Sequence, residues 1–267
     1  MMTESLLQQL DPRGVLTLTL NRPAVHNAFD DQLIDALTTA LQQAGTDPAV
    51  RAIVITGCGN SFSAGADLNW MRRMASASAE ENQQDAARLA QLLRHLNYHS
   101  KPTLARVNGP AYGGGIGLIA CSDIAITTEQ SRFAFAEVRL GLVPATISPY
   151  VFRRIGEAQA RRYFLTAEGF DAHTAQAIGL VHEVTPGARL DEAVQRQLAL
   201  LLQAGPKAVQ HSKRLVFRVA GHDAAGQGQS DQDRAGLLAR LRVSEEGQEG
   251  LSAFLEKRPP AWTSQGD

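Results

Sequence analysis

A chain of 267 residues, 44% hydrophobic and 20% charged, is long enough for one large domain or a domain with an appendage. Its 26 Lys and Arg against 27 Asp and Glu leave a net charge of −1, which offers no electrostatic ground for general affinity to nucleic acid or anionic membrane. Two cysteines, Cys58 and Cys121, are too few for a disulfide framework, the start is not signal-like, and no run approaches the ~20 apolar residues of a spanning helix, so a soluble cytoplasmic protein is expected.

In chain order, residues 6–10 and 15–20 are separated by the turn Asp11-Pro-Arg-Gly14, and the second run alternates apolar residues with threonine as a half-buried strand does. Asn21-Arg-Pro23 breaks it. From Asp30 or Asp31 the period turns helical, with Leu33, Ile34, Leu37 and Leu41 three and four apart and Gly45 as a stop. Residues 50–56 read as a buried strand. The loop Ser61-Phe-Ser-Ala-Gly-Ala-Asp67 follows, and Asp67 is a natural N-cap for a short helix starting at Leu68. A long helix over 80–98 places Ala87, Leu89, Leu92, Leu93 and Leu96 on its apolar side.

A strand at 103–107 then leads into a glycine-rich segment, and short strands follow at 123–127 and 132–135. Helices are expected at 147–155, 157–165 and 174–178, a strand near 182–184, and helices near 190–202 and 207–219. Residues 221–232, polar and glycine-containing, read as a mobile connection, and 237–257 as a helical tail stopped by Pro259-Pro260. Strands alternating with helices at this pace predict an α/β core over residues 1–190 and a helical part over 191–267.

The segment with most chemical promise is Asn108-Gly-Pro-Ala-Tyr-Gly-Gly-Gly-Ile-Gly117. A strand, a turn through Gly113, Gly114 and Gly115, and a buried helix leave unpaired N–H groups at the helix start, which favour negative charge. The same glycines equally suit a tightly packed turn. Ser63-Ala-Gly-Ala-Asp67 also follows a buried strand, and two such strand ends can each offer one N–H to a carbonyl becoming an enolate. With Asp67 acting as a cap, that role falls to the Ala66 N–H. Glu137 lies in the apolar stretch Phe133-Ala-Phe-Ala-Glu-Val-Arg139, where a carboxyl group has a raised pKa suited to acid/base work or else pairs with Arg139 or another arginine. The seven histidines show no metal-ligand spacing, and Arg153, Arg154, Arg161 and Arg162 form a local basic cluster of a kind usual on a solvated face or an interface.

Together these segments resemble the enoyl-CoA hydratase/isomerase (crotonase) family. The carriers are Asn21-Arg-Pro-x-x-x-Asn-Ala28, Phe62-Ser-Ala-Gly-Ala-Asp67, Lys101-Pro-Thr103, Asn108-Gly-x-Ala-x-Gly-Gly-Gly115, Cys121-Ser-Asp-Ile124, Ala136-Glu-Val-Arg-Leu-Gly-Leu142, Ala175-Gln-Ala-Ile-Gly-Leu180 and Phe254-Leu-Glu-Lys-Arg258. The resemblance implies a crotonase-like spiral of ββα turns with a C-terminal helical region that builds trimers or dimers of trimers. It implies an acyl-CoA thioester substrate, with coenzyme A part of the substrate and no separate cofactor or metal. The thioester oxygen would be held by the N–H groups of Ala66 and Gly114. Coenzyme A would lie along Ala24, Val25 and His26, Ala64, Asp67 and Leu68, with further substrate contacts at Tyr112, Gly113 and Gly117. Lys257 would reach the CoA phosphates of its own or a neighbouring subunit. Where many relatives carry a basic residue, this chain has Ala24.

Glu137 matches the family's second carboxylate. Two-glutamate hydratases carry Gly-Gly-Gly-x-Glu, and the last place here is Gly117, which raises a single-glutamate isomerase as the alternative. A further resemblance favours hydration. Phe62-Ser-Ala-Gly-Ala-Asp-Leu-x-Trp-Met71, Gly141-Leu-Val-Pro-Ala-Thr-Ile-Ser-Pro-Tyr150, Ala160-Arg-Arg-Tyr-Phe-Leu-Thr-Ala-Glu168 and Arg242-Val-Ser-Glu-Glu-Gly-Gln-Glu-Gly250 are similar to a bacterial subgroup of methylglutaconyl-CoA and carboxygeranoyl-CoA hydratases, of leucine and acyclic terpene breakdown. That implies a branched, carboxylate-bearing 2-enoyl-CoA, a cation from among Arg72, Arg73, Arg139, Arg153 and Arg154, and a water held by Glu137 with backbone or a hydroxyl such as Ser148 or Tyr150. A non-catalytic RNA-binding or scaffold protein is a third reading, and overall charge does not favour it.

Overall fold

The computed structural model describes residues 4–263; the ends of the expected 1–190 and 191–267 spans at 1–3 and 264–267 lie outside the described residues. Strands β1 (Leu6–Leu10) and β2 (Val15–Leu20) form an antiparallel hairpin in which Leu6 faces Leu20. Helix α1 (Asp31–Thr46), capped by the Asp30 carboxylate on the Leu33 N–H, crosses to β3 (Ala52–Gly57), which pairs parallel to β2. Helices α2 (Leu68–Ala75) and α3 (Ala79–Asn97) cross to β4 (Thr103–Val107), again parallel. Next come β5 (Ala111–Tyr112), the buried helix α4 (Gly114–Cys121), β6 (Ile124–Thr128) and β7 (Arg132–Ala134). Helix α5 (Ser148–Thr166) kinks at Gly156, where φ is 74°, so it holds the two expected helical pieces in one element.

Short elements β8 (Phe170–Asp171), α6 (Ala172–Ala177) and β9 (Glu183–Thr185) precede the helices α7 (Leu190–Gln203), α8 (Pro206–Val219), α9 (Ala224–Arg242) and α10 (Glu245–Glu256). Six strands make one sheet in the order β1-β2-β3-β4-β6-β9, and three make a second in the order β5-β7-β8.

The period of two explains the layering. Along β3, Ile53 and Ile55 join Leu33, Leu37 and Leu93 in the main core, while Ala52 and Val54 meet Leu190, Val194 and Leu198 of α7 on the opposite face. With both faces covered, β3 is buried throughout and its first four residues, 52–55, form a continuous apolar run. Each fully buried leucine of such a layer contributes about 1.5–3 kcal/mol. None of the described helices is long and apolar enough to cross a membrane.

Two expectations are corrected. The buried face of α3 includes Ala86 and Ala90 rather than Ala87, because Asn82 and Asp85 are also buried on it. The Asp85 carboxylate accepts from Trp70 Nε1 at 2.9 Å and from Arg242 at 3.0 Å, so a polar pair occupies positions that hydrophobicity alone assigns to solvent. The second correction concerns 221–232, which is not a mobile connection but chiefly the first half of α9. That helix packs on α3 through a buried polar network: Gln227 donates to Asp231 at 2.7 Å, and Asp231 pairs with Arg94 at 3.1 Å. Gly228 permits the approach, since a Cβ there would lie 2.8 Å from Arg94 Nη1.

Candidate active site

The loop after β3 is clamped from two sides. Asn27, itself in the left-handed region at φ 56°, donates to the carbonyls of Cys58 and Ser61 at 2.9 and 2.8 Å. The Phe29 N–H donates to Gly65 and the Asp67 N–H donates back to Phe29, at 2.6 and 2.8 Å. The Ala66 N–H between them has no hydrogen-bond partner among the described residues. The glycine segment is tied to this loop by the Tyr112 N–H on the Ser63 carbonyl at 2.9 Å. Close approach demands glycine at 115, where a Cβ would stand 2.8 Å from that same carbonyl oxygen. Gly114 opens α4, so its N–H has no carbonyl one turn back, and it too has no partner among the described residues.

Both N–H groups belong to residues on the wall of a cavity of about 460 Å³. Glu137 is on the same wall, at the start of a 3-10 turn (Glu137–Leu140). Its Oε1 lies 3.1 Å from where a Gly113 Cβ would be, and Gly113 has φ 47°. Its Oε2 is buried with no hydrogen-bond partner among the described residues. Burial pushes the carboxyl up to about 7, against a smaller opposing effect of its own backbone N–H. The expected alternative, an ion pair with Arg139 or another arginine, does not form among the described residues. The remaining wall is mostly apolar, with Trp70, Met71, Leu142, Val143, Leu251 and Phe254, so α10 helps to enclose the cavity.

A buried acid and two unpartnered donors, Gly114 at the start of α4 and Ala66 in the loop before α2, make a site for a carbonyl that gains negative charge. A model of the enoyl-CoA hydratase/isomerase family matches residues 11–265. The chain belongs to the enoyl-CoA hydratase/isomerase family. It is 36% identical to the 2,3-dehydroadipyl-CoA hydratase of Escherichia coli over 92% of this chain and 94% of that one. It is also 32% identical to the 1,2-epoxyphenylacetyl-CoA isomerase of the same organism, over 98% and 99%. Among solved structures, an enoyl-CoA hydratase from Shewanella pealeana aligns over 97% of this chain and 96% of that one, with 42% identity and a TM-score of 0.79. The two-sheet α/β architecture with C-terminal helices is thus the crotonase fold, as expected.

Of the site residues that the family resemblance implies, Ala64, Ala66, Tyr112, Gly113, Gly114 and Glu137 line one cavity. Others do not. Ala24, Val25 and His26 lie on an exposed 3-10 turn beside Ala64, whose N–H donates to the His26 carbonyl at 2.9 Å. Leu68 is exposed on the first turn of α2. The Asp67 carboxylate caps α2 through the Asn69 and Trp70 N–H groups and pairs with Arg22 at 3.0 Å. Lys257 is the exposed left-handed C-cap of α10. Gly117 is not on the cavity wall but lies behind Ile147, which is: a Cβ at 117 would lie 2.5 Å from Ile147 Cγ2 and 3.3 Å from Leu93 Cδ2. The place of the missing carboxylate is filled by an isoleucine.

The expected cations and hydroxyls are also redistributed. Among the five arginines, only Arg139 lines the cavity, exposed and with no side-chain partner among the described residues. Arg72 binds Asn69, Arg73 pairs with Asp31, Arg153 donates to Gln227, and Arg154 donates to the carbonyls of Ala120 and Ser122. Arg161 and Arg162 pair with Glu157 and Glu168, so the basic cluster is divided among separate local contacts. Arg242 and Arg258 also line the cavity, each from a segment that carries the family resemblance; Asp85 holds the first and Glu249 the second. The Ser148 hydroxyl donates to the Ala145 carbonyl, and the Tyr150 hydroxyl is buried without a partner among the described residues; neither residue lines the cavity. Thr146 does line it, and sequence reasoning passed it over.

Proposed function

We infer that this protein hydrates the 2,3 double bond of an enoyl-CoA, with Glu137 as the principal acid/base. The observation that carries the reading is the buried, unpartnered Glu137 carboxyl on one cavity wall with the unpartnered N–H groups of Ala66 and Gly114. The two donors hold the thioester oxygen, each worth roughly 10²–10³ in rate when it meets developing charge. Glu137, as carboxylate, takes a proton from water while the water oxygen bonds to C3 and the electron pair moves onto the thioester oxygen. The enolate then collapses, and the Glu137 carboxyl returns that proton to C2. Water has been added, and the carboxylate is regenerated. A group with a pKa of about 7 suits both halves of this exchange near neutrality. Coenzyme A lies over residues 24–26, 64, 67 and 68, with Lys257 at its phosphates in this or a neighbouring subunit. Exposed Leu215, Val216 and Val219 on α8 support a trimer built through the C-terminal helices.

For the acyl group we favour a branched, carboxylate-bearing one such as that of 3-methylglutaconyl-CoA. Support comes from the apolar wall joined by unpaired Arg139, and from a relative named for 2,3-dehydroadipyl-CoA, a thioester of a dicarboxylic acid. The second reading, movement of a double bond from C3 to C2 by Glu137 alone, is favoured by the isoleucine beside Gly117. Turnover of a panel of straight-chain and carboxylated enoyl-CoA thioesters in ¹⁸O-labelled water separates the two. Labelled 3-hydroxyacyl-CoA is expected, and a 2-enoyl product from a 3-enoyl substrate with no label in any product sinks the hydratase.

A further inference from the structure

A hydratase with one glutamate has a geometric problem. Water must present a lone pair to C3 while one hydrogen goes to Glu137, and a single carboxylate fixes only one of its bonds. The place of a second carboxylate is closed, because Ile147 Cγ2 lies within 2.5 Å of any Cβ at position 117. The residue preceding that isoleucine is Thr146, on the wall of the same cavity as Glu137, Gly113 and Gly114. As a whole it is only 5% exposed. Its hydroxyl nonetheless has no hydrogen-bond partner among the described residues, and it is not among the walled-in polar atoms where Glu137 Oε2 and the Tyr150 hydroxyl are found. The oxygen therefore keeps some exposure, on a residue that lines the cavity. The cavity's other hydroxyl, on Tyr112, belongs to β5 and not to the segment that fills the place of the second carboxylate.

We propose that Thr146 positions the attacking water, its hydroxyl accepting the hydrogen that Glu137 does not take. This rests on the hydratase reading. A hydroxyl can accept one hydrogen bond from water and donate its own proton elsewhere, so it orients the nucleophile without taking a proton from it. Glu137 remains the group that moves the proton, and no second ionisation is needed.

The test uses the full-length enzyme, Thr146→Val and Thr146→Ser, and two reactions. One is hydration of the best enoyl-CoA of the panel. The other is exchange of the C2 hydrogens of the matching saturated acyl-CoA in deuterium oxide, which needs Glu137 and the two N–H groups but no water at C3. For Thr146→Val, kcat for hydration falls about 10- to 100-fold with KM within about twofold, as loss of one hydrogen bond to the nucleophile requires. Exchange stays within about threefold of the parent, and Thr146→Ser restores hydration. Near-parental hydration by Thr146→Val overturns the assignment. An equal fall in both reactions also overturns it, because it marks a structural role for Thr146. If the parent hydrates no member of the panel, the hydratase reading fails and takes this assignment with it, a result distinct from either of the others.

Discussion

Replacing Glu137 by glutamine tests whether the acid in the cavity is as poorly solvated as its surroundings imply. An ordinary glutamate has a value of 4.5, and burial lifts this one to about 7. At 1.36 kcal/mol per unit, ionising it in the folded protein costs about 3 kcal/mol more than ionising it in the unfolded chain. The folded value is the higher one, so the relative stability is fully present below about 4.5, declines as pH rises, and is gone above about 7. Glutamine does not titrate. The stability of Glu137→Gln minus that of the parent, from urea unfolding at fixed protein concentration, should therefore rise by about 3 kcal/mol between pH 4.5 and pH 8. Other titrating groups cancel in the difference. Activity carries the complementary sign: kcat/KM for hydration rises with pH through about 7, because the carboxylate is the form that accepts the proton from water. Glu137→Gln should lower kcat at least ~10²-fold, the low end of acid/base contributions. A stability difference independent of pH refutes the burial argument; near-parental turnover refutes the catalytic one.

Gly117→Glu should not create a better hydratase. Its Cβ collides with Ile147, an overpacking that costs about 1–3 kcal/mol in unfolding experiments, and adding Ile147→Ala should recover part of the loss. Arg139→Gln should raise KM for a carboxylated enoyl-CoA about 10- to 100-fold and leave crotonyl-CoA within about twofold, as loss of one charge-assisted bond requires. Equal effects on both thioesters would remove Arg139 from acyl recognition. Val219→Asp with Leu215→Asp, both on exposed apolar positions of α8, should shift the mass seen by light scattering towards monomer; an unchanged mass would clear this face of any role in assembly.

The parts of the site legible in the sequence are those made by backbone. Gly115 is required by a carbonyl at 2.8 Å, and the Asn27 and Asp67 side chains pin the facing loop through their hydrogen bonds and an ion pair, so each motif residue has a structural task of its own. Glu137 was visible for the opposite reason, a carboxyl in an apolar stretch that leaves it no partner. The first half of helix α9 was missed because hydrophobic period cannot see a face held by Gln227, Asp231 and Arg94. The same blindness put Ala87 where Ala86 lies. Choosing among the arginines needed their partners: Arg72 is held by Asn69 on its own helix, but Arg73, Arg153 and Arg154 are held by acceptors far away in the sequence, which only the fold reveals.

Gly117 shows where the two kinds of information meet. In the sequence it is the absence of a carboxylate and points towards an isomerase. In the fold, its missing side chain is the space that Ile147 occupies, so the absence is compensated by packing and the position is no longer open to catalysis. The segment that brings Ile147 to that place also brings Thr146 to the cavity wall. Substitution at one position of α4 is thus tied sterically to the loop before α5, and neither residue's meaning can be assigned without the other. A hydratase that has exchanged a second carboxylate for this loop would depend on Glu137 for every proton and on a neutral hydroxyl for orientation. Its pH profile should then show a single ionisation near 7, where two coupled carboxylates would show two.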